Sequence, residues 1–515
     1  MGNHLFDLVA ARMPAGDAPF ALLDDGRRYS YADMVAVSAR FANALVALGV
    51  EPGDRVAVQV EKSIEALMLY LGAVRAGAIF LPLNTAYTPA EIEYFLGDAE
   101  PAVFVCDPAK AQAMKPYAEK AGARLETLGI WRSHEVSAGT LADKGLAAAT
   151  AFADVDRGPD DLAAILYTSG TTGRSKGAML SHDNLASNAL ALVDYWRFTR
   201  DDVLLHALPI FHTHGLFVAT NTVLFAGASM ILLPKFDPDQ VFAHLPQATC
   251  MMGVPTFYVR LLQDQRLTPA STAHMRLFVS GSAPLLAETH REWRERTGHA
   301  ILERYGMTET NMNTSNPYDG ERVAGTVGFP LPGVFARVTE PESGAPLAAD
   351  EIGMIEVKGP NVFKGYWRNP EKTAAEFRTD GFFITGDLGK IDAGGYVHIV
   401  GRGKDLIITG GYNVYPKEVE AEIDEMAGVI ESAVIGCPHP DFGEGVTAAV
   451  VVKPGATITA ASIASTLEQR LARFKLPKQV FIVDDLPRNT MGKVQKNLLR
   501  EQYKDIYARA MKAGE

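Results

Sequence analysis

The segment 167–177, Tyr-Thr-Ser-Gly-Thr-Thr-Gly-Arg-Ser-Lys-Gly, limits what this chain can fold into more than any other stretch. Its eleven residues hold three glycines, five aliphatic hydroxyls and two cations, Arg174 and Lys176. Glycine lets backbone amides approach an anion, hydroxyls donate to its oxygens, and cations offset its charge. A polyphosphate is the natural guest. The apolar run 162–166 leads in as a buried strand, and a helix is expected from Ser181, with Leu185, Ala189, Leu192 and Trp196 on one face. The pattern differs from the common P-loop, in which Gly-Lys is followed directly by Ser or Thr. A plain surface loop would explain glycine and serine, but not the preceding strand together with two cations.

Further apolar runs at 55–60, 78–83, 102–106, 163–167, 228–233 and 277–280 alternate with amphipathic segments such as 38–48 and 63–76. That alternation predicts an α/β fold with largely parallel sheets. From about Gly328 the texture changes to short strands and glycine turns (336–338, 353–357 and 394–400), which reads as a β-rich subdomain. A boundary falls near 401–405, and the last hundred or so residues read as a compact α+β unit. At 515 residues the chain exceeds what one core supports. The expected division is a large amino-terminal domain of layered α/β sheets over 1–401, a hinge at 402–405, and a small mobile domain over 406–515.

A net charge of −12 leaves no basic stripe for a nucleic-acid backbone, so cations that meet phosphate must be gathered locally. The three cysteines, Cys106, Cys250 and Cys437, suggest neither a disulfide framework nor a metal knuckle. No basic segment followed by an apolar one opens the chain, apolar stretches are soon broken by polar residues, and the end, Lys-Ala-Gly-Glu, is not a peroxisomal signal. A cytoplasmic protein without a membrane span is expected.

Residues 166–177 resemble the phosphate loop of the adenylate-forming superfamily, which includes acyl-CoA synthetases, adenylation domains of peptide synthetases and beetle luciferases. The resemblance implies ATP contacts at Thr168, Ser169, Gly170, Thr171, Thr172, Gly173 and Lys176, with Thr168 also near the metal. Further motifs follow in the family's order. Glu303-Arg-Tyr-Gly-Met-Thr-Glu-Thr resembles its second signature, which implies Tyr305 against adenine, Gly306 at a close backbone passage, Thr308 at the α-phosphate and Glu303 beside the nucleotide. Glu309 is the implied Mg²⁺ ligand, a hard cation for which one carboxylate plus phosphate oxygens suffices. Ser280-Gly-Ser-Ala-Pro-Leu resembles the loop beside adenine and implies Ser282 and Ala283 as contacts. Read alone it is a strand-to-helix turn with Pro284 at the first helical position.

The stretch 366–387 resembles the ribose motif. Asp387 is an acceptor-only carboxylate able to take both ribose hydroxyls, and Arg402 is implied at ribose or phosphate. Lys404 falls where the family has its hinge. Leu-Pro-Arg-Asn-Thr-Met-Gly-Lys at 486–493 resembles the closing signature, whose lysine, here Lys493, bridges two anions as a carboxylate attacks the α-phosphorus. Gly410, Gly411 and Tyr412 resemble the segment lining the channel for coenzyme A. His206-Ala-Leu-Pro-Ile-Phe-His-Thr-His holds three histidines, but zinc would need a fourth ligand, and neither Cys nor an acidic residue is adjacent. It matches the family's acyl-side loop, which implies His212 near the reacting carboxylate; His206 and His214 read as packed polar residues.

Substrate is argued from the acyl pocket. Arg304 stands where many relatives carry an uncharged residue, and a guanidinium facing that pocket is costly unless an anion meets it. A short dicarboxylate is favoured, with an ordinary ion pair from Arg304 to Glu303 or Glu309 as the bland alternative. The combination resembles the malonyl-CoA synthetase branch across essentially the full chain, implying Arg304, His212, Thr213 and Met312 as malonate contacts, and Arg276 with less weight. The implied reaction is an acid–thiol ligation that uses ATP, coenzyme A and Mg²⁺ through an acyl-adenylate, with no protein partner required. Other readings are a synthetase for another short acid, a stand-alone enzyme loading a carrier protein, a luciferase-like oxidase or a sensor without turnover. Malonate and methylmalonate are not separated, because one methyl changes binding only slightly.

Overall fold

The apolar runs fold as strands close to where they are read in sequence: 55–60 as Arg55–Gln59, 78–83 as Ile79–Pro82 and 102–106 as Val103–Cys106. They belong to a computed structural model that describes residues 2–131, 138–168, 175–410, 412–489 and 492–507. Within those residues the chain forms four sheets. The first runs Arg124–Thr127, Val103–Cys106, Arg55–Gln59, Ile79–Pro82, Leu162–Thr168 and Lys176–Ser181, all neighbours parallel except the last pair. The second has nine strands. Its parallel centre holds Leu302–Met307, Leu277–Ser280, Cys250–Gly253, Val203–His206, Ser229–Leu232 and Pro19–Leu23, and both edges are antiparallel.

Parallel sheets need cover on both faces, which explains a helix such as Ile64–Arg75, buried at every one of its 12 residues. It joins the core shared by both sheets. The helix expected from Ser181 is His182–Tyr195, begun by a capping box between Ser181 and Asn184. Leu185, Ala189, Leu192 and Trp196 are all buried, as one apolar face requires.

The third sheet is antiparallel: Phe335–Thr339, Gly353–Lys358, Phe383–Ile391 and Val397–Arg402. The fourth starts at Ile407 after the tight turn Gly403–Asp405 and has its own apolar clusters. It orders Tyr412–Val414, Ile407–Thr409, Gly443–Val452 and Val429–His439, with Gln479–Val483 added beside Gly443–Val452. Among the described residues no helix is long and apolar enough to cross a membrane.

Two local readings change. Pro284 does not open a helix: the helix is Ala287–Thr297, because Ser282 takes left-handed backbone (φ +70°) and delays it. Arg276 leaves the substrate set. It enters Leu277–Ser280 at the amino end, opposite to the end that carries Ser282, and its Nε and Nη2 donate to Asp202 at 2.6 and 2.7 Å. It also stacks over Phe198 and Tyr318. Burial opposes ionisation of Asp202, but the guanidinium overrides this and holds its pKa below the usual carboxylate range.

Breaking a largely buried pair leaves one charge stranded, so Arg276→Ala is expected to cost about 3 kcal/mol of stability. The variant should melt several degrees lower in calorimetry while its KM values for acid and ATP stay unchanged. A selective rise in the acid's KM would return Arg276 to the pocket.

Candidate active site

The site gathers where strands of both parallel sheets end, the place at which open α/β sheets leave a crevice. Thr168 closes the phosphate strand; its hydroxyl donates to the Lys176 carbonyl at 3.5 Å. Ser169, Gly170, Thr171, Thr172 and Gly173 lie outside the described residues. Two described residues, Tyr167 and Ser175, are fastened from one helix, Pro89–Ala99: Tyr94 donates to the Ser175 carbonyl at 2.7 Å, and the Tyr167 hydroxyl donates to Asp98 at 2.5 Å. Lys176 sits 3.9 Å from Glu376 and 5.0 Å over the Tyr366 ring.

In the strand Leu302–Met307, alternation sends Glu303 and Tyr305 to one face and Arg304 and Gly306 to the other. Tyr305 donates to Asp387 at 2.5 Å, and Asp387 pairs with Arg402 Nε at 2.7 Å. Tyr305, Asp387 and Arg402 therefore form one network. Glu303 accepts from the Gly325 amide at 3.2 Å, and burial pushes its carboxyl up to about 8. Gly306 must be glycine, since a Cβ would stand 1.9 Å from the Asn311 carbonyl oxygen. Thr308 is half-buried in the turn that leads to Glu309. Glu309 is buried, and its carboxylate accepts from Tyr366 at 3.0 Å. Burial raises its pKa, so a cation held there would relieve a carboxylate that water does not reach.

Lys493 lies on a hairpin of the small domain. Its amide donates to Asn489 Oδ1 at 3.0 Å, and Arg488 donates to the Gly492 carbonyl at 2.6 Å while pairing with Glu431. Gly492 (φ +73°) passes Thr256 of the large domain so closely that a Cβ would meet the threonine at 3.1 Å. Solvent reaches Lys493, yet cleft walls on both sides lower its pKa, with Arg402 adding repulsion. Lys404 sits in the turn Gly403–Asp405, and Asp405 pairs with Arg500 at 2.6 Å. Gly410 and Tyr412 face outward, Tyr412 stacked on Phe474 at 4.8 Å; Gly411 is outside the described residues.

On the acyl side the three histidines take separate partners. His206 is buried, its Nε2 2.9 Å from the Gly215 carbonyl, which leaves Nδ1 to accept from Lys62 at 3.1 Å. His212 Nδ1 accepts from the His214 amide at 3.2 Å, so its Nε2 carries the proton. Desolvation, then Arg304 and Lys493, take its pKa down to about 4, and the ring is neutral at pH 7. His214 Nδ1 lies 3.2 Å from Ser282 Oγ. Ala283 follows in the same loop. The Thr213 hydroxyl donates to Asn311 at 2.8 Å, and the buried Met312 places Cε 2.5 Å from where a Gly306 Cβ would stand.

Arg304 is 4% exposed, and among the described residues it has no ion pair and its Nε and Nη2 have no hydrogen-bond partner. Alternation turns it away from Glu303. Burial lowers its pKa to about 9. It lies so close to Gly281 that a Cβ there would meet the guanidinium carbon at 2.3 Å. The sequence singles out Arg304 and Thr213 as expected substrate contacts and does not single out Asn311, Ser280 or Gly281. Ser280 Oγ is also buried without a partner, and glycine next to an arginine's strand gives no signal of its own.

A family model described as AMP-binding enzyme matches residues 6–367, and the AMP-binding enzyme C-terminal domain matches 418–493. A malonate–CoA ligase of Arabidopsis thaliana is 34% identical over 93% of this chain and 86% of its own. A feruloyl-CoA synthase of an Amycolatopsis species is 37% identical over 94% and 96%. Among solved structures, ATP-bound MatB from Rhodopseudomonas palustris is 66% identical, covers 98% of this chain and 100% of its own, and superposes with a TM-score of 0.96. The same protein without ligand, over the same coverage, gives 0.85.

Glu303 supplies a pH test. Its folded pKa of about 8 exceeds the unfolded value of 4.5, so the folded state binds more protons between them. Its contribution is full below 4.5 and is lost as pH rises towards 8. Glu303→Gln should flatten the fall of melting temperature across that window. An unchanged slope would show the carboxyl to be ionised.

Proposed function

Since this chain belongs to the AMP-binding enzyme family, we propose that it ligates malonate to coenzyme A, with ATP cleaved to AMP and pyrophosphate through a malonyl-adenylate. The observation that carries the reading is Arg304. A buried guanidinium with two unused donor nitrogens costs several kcal/mol unless a ligand pairs with it. A carboxylate is the planar partner its fork suits. The other carboxylate must be the reacting one, so the substrate is a short diacid. The malonate–CoA ligase among the relatives supports the three-carbon member.

One carboxylate of malonate would rest on Arg304 while the other faces the α-phosphorus, with neutral His212 donating from Nε2 near the reacting end. Tyr305 would lie against adenine and Asp387 take the ribose hydroxyls, with Arg402 holding Asp387 in place. Lys176 and the residues 168–173 would cradle the phosphates. Glu309 would hold Mg²⁺ against phosphate oxygens, with Thr168 nearby, and the metal would offset polyphosphate charge. Lys493 sits opposite these groups and neutralises charge as carboxylate meets phosphate. In the second half-reaction the small domain turns about Lys404. Lys493 leaves, and Gly410, Gly411 and Tyr412 come round to line the path of the thiol. The thiolate attacks the acyl carbon and AMP departs.

A reducing cytoplasmic setting fits three cysteines that are free and buried. A carrier-protein loader would share every ATP contact, and a thiol choice between coenzyme A and a carrier protein separates the two.

The decisive measurement is AMP formed with coenzyme A from a panel of acetate, malonate, methylmalonate, succinate and octanoate; malonate should lead. Arg304→Met should lower kcat/KM for malonate by about 100-fold or more while raising the melting temperature of the free protein, because an unpaired buried charge is removed. A monocarboxylate in first place, or an Arg304→Met variant that keeps its malonate activity, would sink the assignment. Lys493→Ala should abolish pyrophosphate release yet still form thioester from supplied malonyl-adenylate. Equal loss of both half-reactions would remove the lysine from its separate role.

A further inference from the structure

Six residues other than glycine adopt left-handed backbone among those described: Glu100, Arg197, Ser282, Asn311, Asp350 and Arg368. Four of them, Glu100, Arg197, Asp350 and Arg368, are exposed on the surface. Asn311 (φ +49°) is 1% exposed, and Ser282 (φ +70°) is half-buried. In this conformation most L side chains crowd the backbone; asparagine tolerates it better than serine or alanine because its short amide can hydrogen-bond nearby.

Both strained residues grip the same loop. Asn311 Oδ1 accepts the Thr213 hydroxyl at 2.8 Å, between residues 98 positions apart. Ser282 Oγ stands 3.2 Å from His214 Nδ1. The loop is thus held at 213 and 214, directly after His212, from the start of one strand and the loop beyond another. Asn311 also reaches further back. Its carbonyl closes on Gly306, it lies two residues past Glu309, and its side-chain Nδ2 donates to the Asn184 carbonyl at 3.5 Å in the helix His182–Tyr195. The Thr213 proton goes to Asn311 in this structure, so a substrate carboxylate, which can only accept, would have to break that bond to take it.

We infer that Asn311 is a positioning residue for adenylation: by tying Thr213 to the Tyr-Gly-Met-Thr-Glu turn it fixes how far the acyl loop stands from the nucleotide. The inference rests on the proposed reading of this cleft as the place where carboxylate meets ATP. It does not depend on which acid is bound. The bond holds no reacting group itself; it sets a separation, and errors of about 1 Å in such a separation cost on the order of 100-fold in rate. The left-handed backbone at 311 is the strain that accompanies this placement.

The test uses the full-length protein with whichever acid leads the panel. Asn311→Gly keeps the backbone conformation and removes the hydrogen bond, Asn311→Ala removes the bond and keeps the strain, and Thr213→Val removes the donor. Pyrophosphate release should fall at least about tenfold in kcat for Asn311→Gly, with the KM for ATP unchanged, as loss of one placed contact predicts. Asn311→Gly combined with Thr213→Val should be no worse than the more damaged single variant, because both act through one bond. Asn311→Gly should melt above Asn311→Ala. Adenylation unchanged in Asn311→Gly, or losses that multiply in the double variant, would overturn the inference. A panel led by an acid other than malonate would overturn the substrate reading while leaving this test intact.

Discussion

A guanidinium buried without an anion is the constraint around which the rest of this site is arranged. Leaving Arg304 unpaired at 4% exposure is unfavourable in the free protein, and the surrounding structure makes no move to relieve it. Glu303, its neighbour in sequence, is turned to the opposite face by strand alternation and is spent on the Gly325 amide. Glu309 lies past the end of the strand and accepts from Tyr366. The groups that do face Arg304 are kept uncharged: burial first, then Arg304 itself, depresses the pKa of His212 and His214. Gly281 clears the space that a side chain would fill. The cost of the unpaired charge is carried by the parallel sheet, whose buried strands on either side fix the strand bearing Arg304.

On the opposite face of that strand, several charged groups among the described residues are paired in advance. Asp387 holds Arg402 and receives Tyr305; Glu376 receives Tyr366 and stands near Lys176; Asp405 holds Arg500. Paired charges are rigid and cheap to keep, which suits contacts that every catalytic cycle repeats. An unpaired charge suits the contact that must discriminate. In a chain of net charge −12, Arg402 is kept at the cleft by Asp387 and Arg304 by burial.

Much of the fold was legible because buried parallel strands read as continuous apolar runs, and those at 55–60, 78–83, 102–106 and 277–280 were found within a residue or two. The strand Phe383–Ile391 was not, since Gly386, Asp387 and Gly389 interrupt its apolar pattern, Asp387 to hold Arg402 and Gly389 to allow a close sheet crossing. The π-helical turn His214–Thr220 was also hidden. It begins at the histidine loop, where Gly215 sits against the Pro209 carbonyl so closely that a Cβ would stand 2.0 Å away. No periodic pattern encodes such a contact. Arg276 was misread for a related reason: its partner Asp202 is 74 residues away, and sequence shows the charge but not the mate. Motif spacing proposed the site; only tertiary contact tells its paired arginine from the one without a pair among the described residues.

The same contrast separates the two ends of the small domain. Lys493 points into the cleft on a hairpin braced by Arg488 and Glu431, whereas Gly410 and Tyr412 lie on the outside, the latter stacked on Phe474. Both segments hang from one sheet that begins two residues after the turn Gly403–Asp405. A rigid body cannot bring both to the same cleft together. If the thiol path is built from the outward segment, the domain must turn as a unit, and the lysine must leave when the glycines arrive. Charge neutralisation is then withdrawn at the step where it would otherwise hold AMP in place. One cavity cannot be complementary both to displacement at phosphorus and to attack at the neighbouring carbon. The proposed division into a fixed anion cradle and a turning lysine bearer would answer that requirement.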